Sequence, residues 1–317
     1  MRLPQVHQEY VKKGKGFDLN PKIVFLHIPK TAGMSLRGLF IKNYRTGKHF
    51  NTELKRLTAS DWDRCLARIK NIPGDELNQY QVFKGHMQFG LHEILPSPVE
   101  YITFLRNPVK RILSHYKMLC RNKIIPSDPI IDLSKSDWNL TSYPELCYSL
   151  DNGQTRAMAG VDPDLPFGAC TEKHLQMALE NMERHFKFVG LTEQFNLSLL
   201  LLGRVCGWKW HFYMPDNVAK NISFQLPPDV VEAIRDLNRL DFELYRRAEE
   251  RFEQLADSYG WKLKAEHRLY NLGNRLHQHL HVGRHWLRRR LGIERRKAMM
   301  PNPVMESTSI NKSQFLS

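Results

Sequence analysis

The sequence predicts an α/β protein, a P-loop-like parallel sheet flanked by helices, with a helical basic C-terminal extension. Three observations carry this. Short β-branched and aromatic runs at 22–27, 80–84, 99–105 and 186–190 read as buried strands. Apolar residues recur at helical spacing over 34–44, 60–70, 108–122, 172–184, 193–206 and 229–258, and strands alternating with helices imply a parallel sheet covered by helices. Two of the strands also run straight into turns that carry Lys, Thr, Gly and Ser, or Arg and Asn.

The first strand, Ile23-Val24-Phe25-Leu26, leads into His27-Ile28-Pro29-Lys30-Thr31-Ala32-Gly33-Met34-Ser35. Gly33 permits a close turn. Leu36, Leu39 and Phe40 open the next helix, so free N–H groups of a helix start lie over the turn, where Lys30 adds positive charge. This is no Walker A loop, because the lysine precedes the glycine and the upstream glycine is missing. A P-loop kinase, which also needs an acidic magnesium partner, is therefore disfavoured. The strand Val99–Leu105 ends in Arg106-Asn107-Pro108, with Asn107 suited to cap a helix and Pro108 to its first position. Arg106 is thus fixed at the carboxyl edge of the sheet, where open α/β folds bind ligands, and Ser114 offers a hydroxyl two turns into the helix. Two anion sites on two strand-to-helix turns imply a ligand with two separated phosphates.

These segments resemble the sulfotransferases that use 3′-phosphoadenylyl sulfate (PAPS), in the branch of the heparan sulfate and uronyl 2-O-sulfotransferases and their bacterial relatives. The 29–35 loop is similar to that family's 5′-phosphosulfate loop, and Arg106 with Ser114 to its 3′-phosphate motif. Phe83-Lys84-Gly85-His86 resembles the segment bearing its catalytic histidine, and 189–195 a later strand-to-helix landmark; the likeness spans about 21–260. It implies the sulfotransferase fold, PAPS as sulfuryl donor, no metal, and a hydroxyl acceptor on a glycan. It also assigns roles. His86 is the base, a role suited to an imidazole that titrates near neutral pH. Lys30 stabilises the leaving group, and Thr31, Ala32, Gly33, Met34 and Ser35 hold the 5′-phosphosulfate by backbone and hydroxyl. Arg106 and Ser114 take the 3′-phosphate, Lys220 in a later loop is a further phosphate contact, and Lys84, Gln154 and Arg156 face the acceptor. A solvated loop remains the alternative for Lys220. For 151–156 the alternative is a polar helix start capped by Asp151 or Asn152.

Charge and cysteine usage agree. The net charge of +14 draws anions such as a nucleotide, an acidic glycan, nucleic acid or an anionic membrane. Half of it lies in 265–297, which reads as a basic helical extension and an anionic-surface contact; 21–264 is the catalytic domain and 298–317 a disordered tail. Nucleic-acid binding stays an alternative, disfavoured because that basic excess lies outside the anion motifs. His277, His279, His281 and His285 stand among arginines that repel cations and make no metal site. Five scattered cysteines read as reduced thiols. No apolar signal core or membrane span appears, which implies a cytoplasmic enzyme, or a Golgi-lumen one if the chain is a trimmed form.

Overall fold

The computed structural model describes residues 21–45, 47–52, 54, 58–122, 150–209, 212–214 and 227–290, by backbone alone at 119–120 and 281–290. Five parallel strands form one sheet: β1 (Lys22–Leu26), β2 (Lys48–Asn51), β3 (Tyr80–Gly85), β4 (Val99–Leu105) and β5 (Phe186–Leu191). Their order is β2-β3-β1-β4-β5. The continuous apolar run of β1 follows from its place: it is the central strand, every residue buried, with Leu26 beside Gly85 of β3 and Phe25 beside Ile102 of β4. The chain goes to one side of β1 for β2 and β3 and to the other for β4. That change of direction opens a crevice at the carboxyl ends of these strands.

The helices are α1 (Gly33–Asn43), α2 (Ala59–Lys70), the single turn α3 (Gly74–Leu77), α4 (Pro108–Arg121), α5 (Gly153–Ala159), α6 (Glu172–His185), α7 (Phe195–Cys206), α8 (Pro228–Leu237), α9 (Arg239–Ser258) and α10 (Gly260–Arg290). The four expected strands are present. β2 was not expected, since its Lys-His-Phe-Asn sequence is a short, half-exposed edge with one buried residue, Phe50.

The single helix expected over 229–258 is two, parted at Asn238. Its side-chain amide donates to the carbonyls of Leu150 (2.7 Å) and Ile234 (3.0 Å). The boundary expected between 264 and 265 falls inside α10, which buries Leu263, Tyr270 and Asn274 as it packs on α7 and α9, and whose Glu266 pairs with Arg204. Cys65 and Cys170 are buried free thiols, and Cys206 is free and half-buried. Residues 123–149 and the tail expected at 298–317 lie outside the described residues.

Candidate active site

The turn from β1 to α1 is held from within. Thr31 is fully buried, and its hydroxyl donates to the Ile28 carbonyl at 2.8 Å, so this side chain closes the loop and is not presented to a ligand; that corrects the expected role of its hydroxyl. Lys30 and Ala32 both adopt left-handed backbone conformations (φ 71° and 63°), each costing about 1–3 kcal/mol and kept where the surroundings demand it. Alternating backbone of this kind turns successive N–H groups toward one concavity, an anion-binding nest. No side chain caps α1; the Ser35 amide donates to the Ala32 carbonyl (3.1 Å), while Gly33 and Met34 stand at the helix start. Gly33 is needed sterically, because a Cβ there would lie 2.0 Å from Nε2 of His27. Met34 is exposed and Ser35 half-buried.

His86 follows β3 directly. Its ring stacks on that of His27 (centroids 4.6 Å apart, planes 22° apart), and His27 stacks in turn on Phe25 (5.6 Å). Nδ1 of His86 lies 3.0 Å from the His27 carbonyl oxygen. A carbonyl only accepts, so Nδ1 carries the proton and Nε2 the lone pair. Burial lowers the His86 pKa, partly offset by that hydrogen bond, so the ring is neutral near pH 7. His27 itself is pushed down to about 3, first by burial and then by the charges of His86 and Lys30. It is a neutral platform and a poor second base.

His115 on α4, which the sequence did not single out, is also pushed down to about 3, by burial and then by the charges of Arg111, Lys30 and His86. Those shared influences place it in the same cationic cluster. Its neighbour in sequence, Ser114, was the available signal. Burial is likewise the largest cause of the lowered Lys30 pKa, followed by the charges of Arg121 and Arg106.

Arg106 joins the second turn to the first. One guanidinium NH2 group donates to the Lys30 carbonyl at 3.1 Å, and its Nε is buried with no hydrogen-bond partner. Its backbone is gripped twice by Gln154, which donates to the Arg106 carbonyl and accepts from the Arg106 amide, both at 2.9 Å. Asn107 caps α4 as expected, accepting from the Lys110 amide at 3.3 Å. Ser114 is half-buried on that helix.

The three residues expected at the acceptor are all buried and hydrogen-bonded within the protein. Gln154 is fully buried and serves as the clamp on Arg106. Arg156 is buried too: it pairs with Asp151 and donates to the carbonyls of Asp151 (2.8 Å), Leu165 (2.6 Å) and Pro166 (2.8 Å). Lys84 is buried with its ammonium donating to Nδ1 of His49 (2.8 Å), and burial pushes its pKa down to about 8. Lys220 lies outside the described residues.

Sequence reasoning also missed Asp241. This buried carboxylate accepts from the amides of Gln154 (3.1 Å) and Thr155 (2.7 Å) at the start of α5 and pairs with buried Arg111 (3.4 Å). It reaches α5 from α9, more than eighty residues away, so no local pattern could announce it. Among the described residues no group of three or more His, Cys, Asp or Glu could hold a metal ion.

The comparisons with known proteins bear on a site that combines a cationic, nest-like turn with a neutral histidine. A family profile described as galactose-3-O-sulfotransferase matches residues 15–310. Heparan-sulfate 6-O-sulfotransferase 1 of Cricetulus griseus is 26% identical over 307 residues, covering 80% of this chain and 71% of that protein. The Homo sapiens protein of that name is 27% identical over 303 residues, covering 80% and 69%. Galactose-3-O-sulfotransferase 2 of Homo sapiens is 25% identical over 241 residues, covering 70% and 58%. The motifs resembled the 2-O branch, whereas these relatives bear 6-O and galactose 3-O names; the agreement is on the kind of enzyme and leaves the branch loose.

Proposed function

The chain belongs to the galactose-3-O-sulfotransferase family and is a sulfotransferase, and from that premise we propose that it carries a sulfuryl group from PAPS to a sugar hydroxyl with His86 as base. The observation that carries the mechanism is the His86 tautomer. With Nδ1 donating to the His27 carbonyl, the Nε2 lone pair is the atom left to take an acceptor proton.

The residues fit the donor. A nest of left-handed backbone at Lys30 and Ala32, an uncapped helix start and the Lys30 ammonium suit the 5′-phosphosulfate. The buried, unpartnered Nε of Arg106 suits the 3′-phosphate, with the Ser114 hydroxyl as a second contact. PAPS supplies a sulfuryl group on a phosphate leaving group. As the acceptor oxygen bonds to sulfur, the sulfur–oxygen bond to phosphate breaks, the acceptor proton passes to Nε2 of His86, and Lys30 neutralises charge gathering on the departing phosphate. The relatives' names, heparan-sulfate 6-O- and galactose-3-O-sulfotransferase, both point to a carbohydrate oxygen as acceptor, and the +14 net charge favours an acidic polysaccharide.

The test is transfer of labelled sulfate from PAPS to a polysaccharide panel, with thermal shifts for 3′,5′-ADP, ATP with magnesium, and an oligonucleotide. Labelled polysaccharide together with a raised melting temperature for 3′,5′-ADP supports the reading. No transfer, with stabilisation by ATP–magnesium or the oligonucleotide instead, refutes it.

A further inference from the structure

Helix α10 packs along one side and is bare along another. Leu263, Tyr270 and Asn274 are buried against the domain. On the opposite side Trp261, Leu269, Leu272, Leu276 and Leu280 are 75%, 68%, 58%, 64% and 64% exposed. At 3.6 residues per turn these five side chains fall within one sector of about 100°. A lone exposed leucine needs no explanation, but a continuous row of four with a tryptophan at its head is a patch.

The row is bordered by cations. Lys262, Lys264, Arg268 and Arg275 are exposed beside it, and the sequence of the helix continues with Arg284, Arg288, Arg289 and Arg290. Glu266 is its single acidic residue, and it is engaged with Arg204. A second copy of this helix is therefore a poor occupant of the patch, since pairing would set two strongly basic surfaces against each other. An anionic bilayer meets both features, taking leucine and tryptophan into the acyl boundary and lysine and arginine at the headgroups. No helix among the described residues is long and apolar enough to cross a membrane, so the helix would lie along the surface.

We propose that the exposed face of α10 docks this protein peripherally onto membranes rich in anionic phospholipid. The inference stands apart from the sulfuryl-transfer reading, since it uses no residue of the site. It is tested with the full chain by co-sedimentation with vesicles of phosphatidylcholine alone or mixed equally with phosphatidylserine. The protein is expected on the mixed vesicles only, with binding that weakens as salt rises.

Leu272→Gln with Leu276→Gln, and separately Arg268→Glu with Arg275→Glu, should each lower the partition coefficient about tenfold or more, since one surface cation alone is worth about fivefold. Both variants should keep the wild-type melting temperature, because these side chains face solvent. Absence of the wild type from anionic vesicles, or binding that survives both double substitutions, overturns the proposal. So does a dimer in analytical ultracentrifugation that is lost in the leucine variant, which gives the patch to a second copy. Binding to a sulfated polysaccharide but not to vesicles, abolished only by charge reversal, makes the helix a glycan contact instead.

Discussion

Arg106 and Arg156 are both largely withdrawn from water, yet they face opposite circumstances. Every nitrogen of the Arg156 guanidinium donates: Nε and both NH2 groups find carbonyls of Asp151, Leu165 and Pro166, and the Asp151 carboxylate pairs with its charge. Arg106 spends one NH2 group on the Lys30 carbonyl and leaves Nε buried without an acceptor. A saturated guanidinium is scaffold. The desolvation of Arg106 is offset only in part by the Glu193 charge, and an arriving anion can offset more of it. Hydrogen-bond saturation, which depends on residues far apart in sequence, is what distinguishes Arg156 from Arg106.

The comparison is broken most forcefully at Arg156. Arg156→Met would leave Asp151 ionised and buried without its partner, and the expected loss of stability is about 3–5 kcal/mol by urea denaturation. Nucleotide affinity of the folded fraction should stay within about twofold of wild type. A stable Arg156→Met protein with impaired transfer to the acceptor would return Arg156 to the acceptor site.

His86→Ala should lower turnover by about a hundredfold or more, the usual size of a general-base contribution, while 3′,5′-ADP binds with nearly unchanged affinity by calorimetry. Near-normal turnover would mean that the base is another group.

Arg106→Ala sharpens the contrast from the ligand's side. Hydrogen bonds to a charged group contribute about 1.5–3 kcal/mol, so affinity for 3′,5′-ADP should fall about tenfold to a hundredfold. Affinity for 5′-AMP, which lacks the 3′-phosphate, should change by less than about threefold. Equal losses for both nucleotides would place Arg106 on the 5′ side.

These contrasts mark what the sequence could convey. Strands β1, β3, β4 and β5 were legible because each centres on a run of buried residues rich in β-branched or aromatic side chains. The two turns were legible because their residue types are local. The roles of Gln154 and Arg156 were not, because they depend on partners elsewhere in the fold: Arg106 across 48 residues, the loop at 165–166, and Asp241 across 87. A polar helix start reads alike whether its side chains face a ligand or a buried carboxylate. In α10 the leucines at 269, 272, 276 and 280 recur at helical spacing, but spacing does not say which face the domain covers, and these four are exposed.

The smallest expected effect, at Lys84, tests whether burial alone disqualifies a charged residue from the site. Its ammonium donates to Nδ1 of His49, whose Nε2–H donates to the Tyr44 carbonyl at 2.8 Å. Burial, and next the charge of Arg37, lowers its pKa from 10.5 to about 8. Between those values the unfolded chain binds the proton and the folded protein does not, so this lysine makes stability rise with pH across that window and adds nothing to the slope below it. In Lys84→Met two effects oppose each other at pH 7: relief of a buried ammonium, and loss of a hydrogen bond worth about 1 kcal/mol. The melting temperature should therefore move little at pH 7, and wild type should pull ahead of the variant as pH is raised from 8 toward 9.5. Turnover should stay within about threefold, because the buried ammonium is engaged with His49 of β2. A tenfold fall in turnover with an unchanged stability profile would show instead that Lys84 contacts the acceptor.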